Sequence, residues 1–411
     1  MVICRRVRYH NGKKSGRTTM SKKLNRRVLM QGTVASAAAL ALPVTGRGQD
    51  APAMQLYDTR VISHLPHRYH GWPTLARRAN GELLLVCSGG REEHVCPFGR
   101  VDLMRSADGG ETWSWPRVVM DGPIDDRDAG VLETAQGSIL ITTFTSLAYV
   151  GRLTQAEKNG TWPPERLAAW QAVHNRVGEA QRKAALGVWM IRSTDGGVTF
   201  SGRYDCLVDS PHGPVQLADG RLLYAGKDLW REGSRVGVCQ STDDGQSWEW
   251  LAQLPIREGD MHEKYHELHA VEARSGRLVL QIRNHNSQNS GETLQAESSD
   301  GGKTWSVPHS IGVWGLPSHL MRLQDDRLLM TYGHRRPPYG NQARVSADEG
   351  TTWSEPLTIS GDGIGGDLGY PSTVQLDDGL LVTVWYERMK GSSFAVLRQA
   401  RWTLGPPPAL G

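Results

Sequence analysis

The sequence predicts an all-β fold: a six-bladed β-propeller with boxed hairpins and one helical insertion. Three observations predict it. A turn followed by an apolar strand occurs six times, and a second turn motif occurs five times, interleaved with the first. Gly (47 residues) and Trp (14) are abundant, as many tight turns with aromatic anchors require. With 38% hydrophobic and 7% aromatic residues in 411, the chain has a globular composition rather than a disordered one.

The first repeat places a small polar residue and a glycine, or two aspartates, before an apolar run. It is found at Asn80-Gly81, Gln136-Gly137, Asp219-Gly220, Ser275-Gly276, Asp325-Asp326 and Asp378-Gly379. Such pairs supply the positive φ of a hairpin turn, and the runs after them read as buried strands. The turns recur every 50 to 56 residues, with one gap of about 83. Units of that length suit four-stranded blades.

The second repeat is S-x-D-x-G-x-[ST]-[WF]. Its copies run from Ser106 to Trp113, Ser193 to Phe200, Ser241 to Trp248, Ser298 to Trp305 and Ser346 to Trp353. In each, the aspartate can bond turn backbone groups while glycine takes the left-handed position, and the aromatic ring packs beneath. These aspartates read as structural fasteners and not as catalytic or calcium ligands. The sixth unit has no box after it. The segment from Met54 to Ser63 is expected to close the ring by adding a strand to the last blade, which protects a sheet edge.

The long gap holds an insertion at about residues 160–187. Leu167, Ala168, Trp170, Ala172, Val173 and Val177 predict one amphipathic helix there, starting at Pro163-Pro164 and ending at Gly187. It is read either as a rim wall or lid, or as padding on the propeller side.

Residues 1–53 have the anatomy of an export leader, and the propeller is expected over 54–405. Arg26-Arg27 precede an apolar stretch, Val28 to Pro43, too short to span a bilayer, and the pair resembles a twin-arginine signal. Translation from Met20 fits the same reading. The first 49 residues hold eleven Lys or Arg and no acid, so the formal charge of +4 belongs to the leader. The remainder carries 36 basic against 43 acidic residues. A nucleic-acid partner is thereby excluded. An exported protein, periplasmic or secreted from a bacterium, and a monomer, is expected. Beyond the leader, Cys87, Cys96, Cys206 and Cys239 form no disulfide framework and no CxxC pair. Cys87 and Cys96 are left either as a bridge or as buried thiols.

The five boxes resemble those of the sialidase (neuraminidase) superfamily, and the resemblance covers about residues 55–400. It implies an exo-acting glycosidase with a Tyr nucleophile, a Glu partner, an Asp acid/base and three arginines on the substrate carboxylate. Tyr370, in Gly-Tyr-Pro before the last turn, is similar to the nucleophile, and Glu267 to its partner. Arg283, sixteen residues later, and Arg335, with Arg336 as a competitor, resemble the second and third arginines. Arg91 resembles an accessory arginine. Two positions depart from the pattern. Gly71, in Gly71-Trp72-Pro73, stands where the first arginine is expected, and His94 stands at the acid position, with Glu93 beside it as the other choice.

The chemistry agrees with that assignment. Tyr attacks only if a base takes its proton, which Glu267 can do, and a neutral nucleophile suits an anionic sugar. Arg283 and Arg335 match a carboxylate in fork geometry. Asp126, Arg127 and Asp128, before the second turn, and His212 and His319, before the third and fifth, fall where a blade's inner strand begins. They are expected to contact substrate. His67, His70, His94, His212, His266, His269 and His319 are expected to gather at one mouth. No HxH or HExxH run supports zinc, no glycine-rich phosphate loop or GxSxG elbow is present, and no metal or cofactor is expected. Three functions fit: a sialidase-type glycosidase, another carbohydrate-active propeller such as a lyase or rhamnosidase-like enzyme using His and Tyr, and a non-catalytic glycan-binding propeller. The partner in each is a glycan.

Overall fold

The computed structural model describes residues 50–231 and 234–406. The leader therefore lies almost wholly outside the described residues. Among those residues no helix is long and apolar enough to cross a membrane.

Six four-stranded antiparallel sheets make the six blades. Their first strands are Tyr69–Arg77, Asp125–Glu133, Val215–Gln216, Tyr265–Glu272, Ser318–Arg322 and Leu368–Gln375. Each runs into one of the six turns and pairs with the apolar strand after it. First strands of blades 1, 2, 4, 5 and 6 pack on a neighbouring blade's first strand and so line the axis, and the second strand of blade 3 packs on the first strand of blade 4. Blades 2 and 3 come close at Gly130 and Gly213. A Cβ at Gly130 would stand 2.5 Å from the Gly213 nitrogen, so glycine is required there. The ring closes as the sequence predicts: Met54–Val61 pairs antiparallel with Ala395–Leu404 as the outer strand of blade 6.

The boxes act as fasteners in all five copies. In the first, Ser106 Oγ donates to Asp108 Oδ1 (2.7 Å) and accepts from Gly110 N (2.8 Å), while Thr112 donates to Asp108 through N (2.9 Å) and Oγ1 (2.6 Å). Two box tryptophans also reach the preceding blade. Trp113 Nε1 donates to Gln399 (2.8 Å) and Trp353 Nε1 to Gln295 (2.9 Å). The buried indoles thereby couple hairpin to neighbour, which repeats alone would leave as separate sheets.

The insertion differs from the single helix expected. It is three helices: α1 (Tyr149–Asn159), α2 (Pro164–His174) and α3 (Glu179–Ala184). Gly160, in the left-handed conformation, ends α1, and Pro164 opens α2 as predicted. α1 escaped notice because its sequence is polar, with only Tyr149, Leu153 and Ala156 buried. All four cysteines of the propeller are buried free thiols, which decides between the alternatives for Cys87 and Cys96.

Candidate functional site

The site is built by one backbone device used repeatedly. Nine residues before the turn position, the first strand carries Trp72, Asp128, Glu267 and Tyr370 in blades 1, 2, 4 and 6. All four have positive φ, at 53°, 46°, 45° and 53°. Each sits in a register shift: Gly71/Thr74, Arg127/Gly130, His266/His269 and Gly369/Ser372. A bulge breaks the in-out alternation of a strand and re-aims one side chain. Left-handed backbone is disfavoured for such residues and is held where the surroundings over-determine it. Blades 3 and 5 have Pro211 and Pro317 at the same offset; proline fixes φ negative and cannot take this conformation.

The bulges bring Tyr370 and Glu267 together from blades 6 and 4. Tyr370 Oη donates to Glu267 Oε1 at 2.5 Å. Arg283 Nη1 donates to Glu267 Oε2 (2.6 Å) and to Tyr370 Oη (3.0 Å). Arg283 Nε donates to His285 Nε2 (2.8 Å), whose ring lies 4.7 Å from that of His266 and tilted to it. Burial lowers the pKa of both imidazoles, His266 to about 4, so each is a neutral acceptor. Burial alone would raise the Glu267 carboxyl, but the Arg283 charge and hydrogen bonds hold it below its usual value. Burial and the Glu267 charge together push the Tyr370 phenol well up. The resting pair is therefore phenol and carboxylate. The Arg335 guanidinium lies 5.4 Å from the Tyr370 ring centre, with Nε donating to Leu368 O (2.9 Å) and Nη2 buried without a protein partner. Arg336 instead lies over Trp314, at 4.4 Å.

The second blade supplies the rest of the floor. Asp128 is buried, its Oδ1 has no partner, and burial with the Glu267 charge, opposed by Arg127, pushes its carboxyl up to about 7. The Arg127 guanidinium stands 4.3 Å from the Trp72 ring and 3.6 Å from Asp125. Asp126 turns to its own blade and accepts from Gly122 N (2.5 Å). Trp72, 6.4 Å from the Tyr370 ring, occupies the wall beside the vacant arginine position at Gly71.

Two expected contacts lie elsewhere. Arg91 is fully buried and forked onto Asp125 (2.6 and 3.1 Å), with further bonds to Ser88 Oγ and His94 O (both 2.9 Å). Its donors are already used, so it braces the floor. Glu93 pairs with Arg152 (3.2 Å) and Arg166 (2.9 Å) of the helical insertion. His94 stays at the mouth, its ring 5.0 Å from that of Trp72.

The seven histidines do not gather in one place. His212, His269 and His319 meet on the axis, with ring centres 4.7 to 5.3 Å apart, at a cavity of about 400 Å³ that Arg77, Arg78, Glu133 and Gln375 also line. None of Tyr370, Glu267 and Arg283 borders that cavity. Burial holds all three imidazoles neutral. His70 is buried and bonded to Arg68 O (3.1 Å). Among the described residues no group of three or more His, Cys, Asp or Glu is arranged to hold a metal ion. Sequence reasoning missed Trp72, His285, Asp367, Tyr69 and Tyr386. The nine-residue offset is a signal that finds Trp72; the others come from three separate blades and have none.

The comparisons agree with this architecture. A family model described as BNR repeat-like domain matches residues 151–383. A sialidase of Bacteroides fragilis is 26% identical over 72% of this chain, and one of Clostridium perfringens 24% over 64%. The chain spans about half the length of these curated relatives (54% and 55%). Among solved structures, a protein of unknown function from Dyadobacter fermentans superposes with a TM-score of 0.69 at 22% identity, covering 86% of this chain and 100% of that one. The NanB sialidase of Streptococcus pneumoniae gives 0.61 at 14% identity, covering 85% and 71%. With its boxes, its six sheets and a family match over more than half its length, the chain belongs to the BNR repeat-like family of the sialidase superfamily.

Proposed function

We propose that this protein is an exo-acting glycoside hydrolase of sialidase type, releasing a terminal anionic sugar from glycans. The observation that carries the reading is the Tyr370–Glu267 hydrogen bond of 2.5 Å, bridged by Arg283. A buried phenol beside a carboxylate is a nucleophile with its base in place. Tyr370 attacks the anomeric carbon while its proton passes to Glu267. Arg283 stabilises the charge on both oxygens. Arg335, through its unpartnered Nη2, and Arg127 hold the substrate carboxylate in place of the arginine that Gly71 replaces. Asp128 meets a sugar hydroxyl. The enzyme acts as an exported monomer and needs no cofactor.

Hydrolysis of a fluorogenic N-acetylneuraminic acid glycoside tests this, with Tyr370→Phe as control. Release by the wild type that drops at least about 10³-fold in the variant is expected, as for removal of a covalent nucleophile. Release that Tyr370→Phe leaves intact would sink the reading.

A second reading is favoured by Gly71 itself, because the carboxylate clamp lacks its first arginine. In it the propeller acts on uronic acid or rhamnose glycans. Folded protein inactive on sialosides but active on those glycans selects it.

A further inference from the structure

Cleaving a glycosidic bond at neutral pH needs a proton for the leaving oxygen. Tyr370 and Glu267 do not supply it, since the pair holds one proton and uses it on the nucleophile. We propose that His94, oriented by Asp367 and Tyr69, is the general acid and then the general base of this site. The inference rests on the glycosidase reading above.

Three observations carry it. The first is the network around the ring. His94 Nδ1 lies 3.0 Å from Asp367 Oδ1 and 2.9 Å from Tyr69 Oη. Tyr69 Oη also donates to Asp367 Oδ1 (2.9 Å), and so does Tyr386 Oη (3.2 Å). Burial would raise the Asp367 carboxyl, but the bonds from His94, Tyr69 and Tyr386 hold it below its usual value, so it is a carboxylate. An imidazole whose Nδ1–H is fixed on a carboxylate presents Nε2 as its working nitrogen. The His94 side chain is 45% exposed and Nε2 has no protein partner among the described residues.

The second is the way the loop is held. Glu92 accepts from Trp170 Nε1 (2.7 Å) and pairs with Arg166 (2.6 Å), and Glu93 pairs with Arg152 and Arg166. Cys96 is packed with Tyr149, Leu153 and Trp170 of the insertion. From the other side, Arg91 Nη2 donates to the His94 carbonyl (2.9 Å). Helices α1 and α2 thus draw both glutamates away and leave His94 as the loop's only acid-base side chain at the mouth.

The third is exposure. Asp128, another acid with an unpartnered oxygen, is buried beside Arg127 and Glu267. A proton donor must face the departing group, which leaves toward solvent; the half-exposed ring at the rim meets that condition.

The steps balance. In the first half, the Tyr370 oxygen bonds the anomeric carbon, its proton moves to Glu267, the glycosidic C–O bond breaks, and the leaving oxygen takes the Nε2 proton of His94. In the second, neutral His94 removes a proton from water, the water oxygen bonds the anomeric carbon, the Tyr370 C–O bond breaks, and Glu267 returns its proton to Tyr370. Asp367 is a positioning residue; His94 is the catalytic one.

The test uses the 4-nitrophenyl and methyl α-glycosides of N-acetylneuraminic acid. Nitrophenolate leaves without a proton, and methoxide does not. His94→Gln is expected to lower kcat/KM on the methyl glycoside by about 10²–10⁴-fold and on the nitrophenyl glycoside by less than about tenfold. Asp367→Asn is expected to give a smaller loss with the same selectivity. Equal losses on both glycosides with His94→Gln, or none, overturn the dyad while Tyr370→Phe still tests the nucleophile. A selective loss with Asp128→Asn instead moves the acid to the floor. Wild-type protein that cleaves neither glycoside overturns the glycosidase reading, and the dyad falls with it.

Discussion

The two ends of each blade obey opposite rules. At the box end, five hairpins carry the same residues in the same bonds: Ser241 and Asp243 repeat what Ser106 and Asp108 do, down to a Ser–Asp distance of 2.8 against 2.7 Å. At the mouth end, one backbone position is occupied by Trp72, Asp128, Pro211, Glu267, Pro317 and Tyr370. Repetition at one end makes six blades from one rule. Divergence at the other gives four blades four different re-aimed side chains on the same frame and leaves proline in two. Activity should therefore depend most on the bulges, while box substitutions should lower stability and leave activity per folded molecule unchanged.

The largest effect expected is at the mouth. Glu267→Gln keeps size and hydrogen bonding but removes the base, and should cost at least about 10³-fold in kcat. The melting temperature should also fall, because the buried Arg283 charge loses its carboxylate partner. Activity per folded molecule is therefore the deciding readout, and kcat left intact there would remove Glu267 from the chemistry. At the other end, Trp353→Ala removes a buried indole and its bond to Gln295. A loss of about 3–5 kcal/mol in denaturant unfolding is expected, with kcat per folded molecule unchanged.

A substitution between the two ends sharpens the contrast. A Cβ at Gly99 would stand 2.0 Å from Asp125 Oδ1 and 2.2 Å from Arg91 Nη1. Gly99→Ala should therefore disturb the brace under the mouth and lower both stability and activity. If only stability falls, the Arg91–Asp125 pair does not position the floor.

Titration distinguishes the ends as well. Burial raises Asp126 and Asp128 each to about 7, above the ordinary value of about 3.9. The folded chain therefore holds protons that the unfolded chain has released. Their contribution to stability is complete below about pH 4 and is lost as pH rises to about 7. Asp128→Asn should flatten that slope, measured as denaturation midpoints at pH 4, 6 and 8; asparagine also tolerates the left-handed backbone there. The smallest effect expected is Ser241→Ala, which removes three box hydrogen bonds and should lower stability by about 1 kcal/mol without touching activity.

Much of the fold was legible because it is periodic. The six turns marked the blades, the boxes marked the hairpins, and the unpaired segment at Met54 marked the closing strand. The insertion was legible only as a helical gap. The polar composition of α1 hid the division into three helices, although its buried Tyr149, Leu153 and Ala156 stand at helical spacing. Within the site, Tyr370, Glu267, Arg283 and Arg335 were legible by resemblance and converge. Arg91 and Glu93 were found as residues, but their partners, Asp125 and the arginines of α1 and α2, come from other segments, and the partner decides what each can do.

What the sequence by itself determined is the number of blades, the fasteners and the list of reactive side chains, because each depends on local backbone rules that recur along the chain. Only the tertiary structure decided which of them share a site. His212 and His319 follow Pro211 and Pro317, in blades whose first strands show no register shift, and face the axial cavity, while Glu267 and Tyr370, 103 residues apart, share a proton. A bulge re-aims one side chain of a strand, and whether a blade has one is decided by its packing around the axis. Sequence separation carries no record of it.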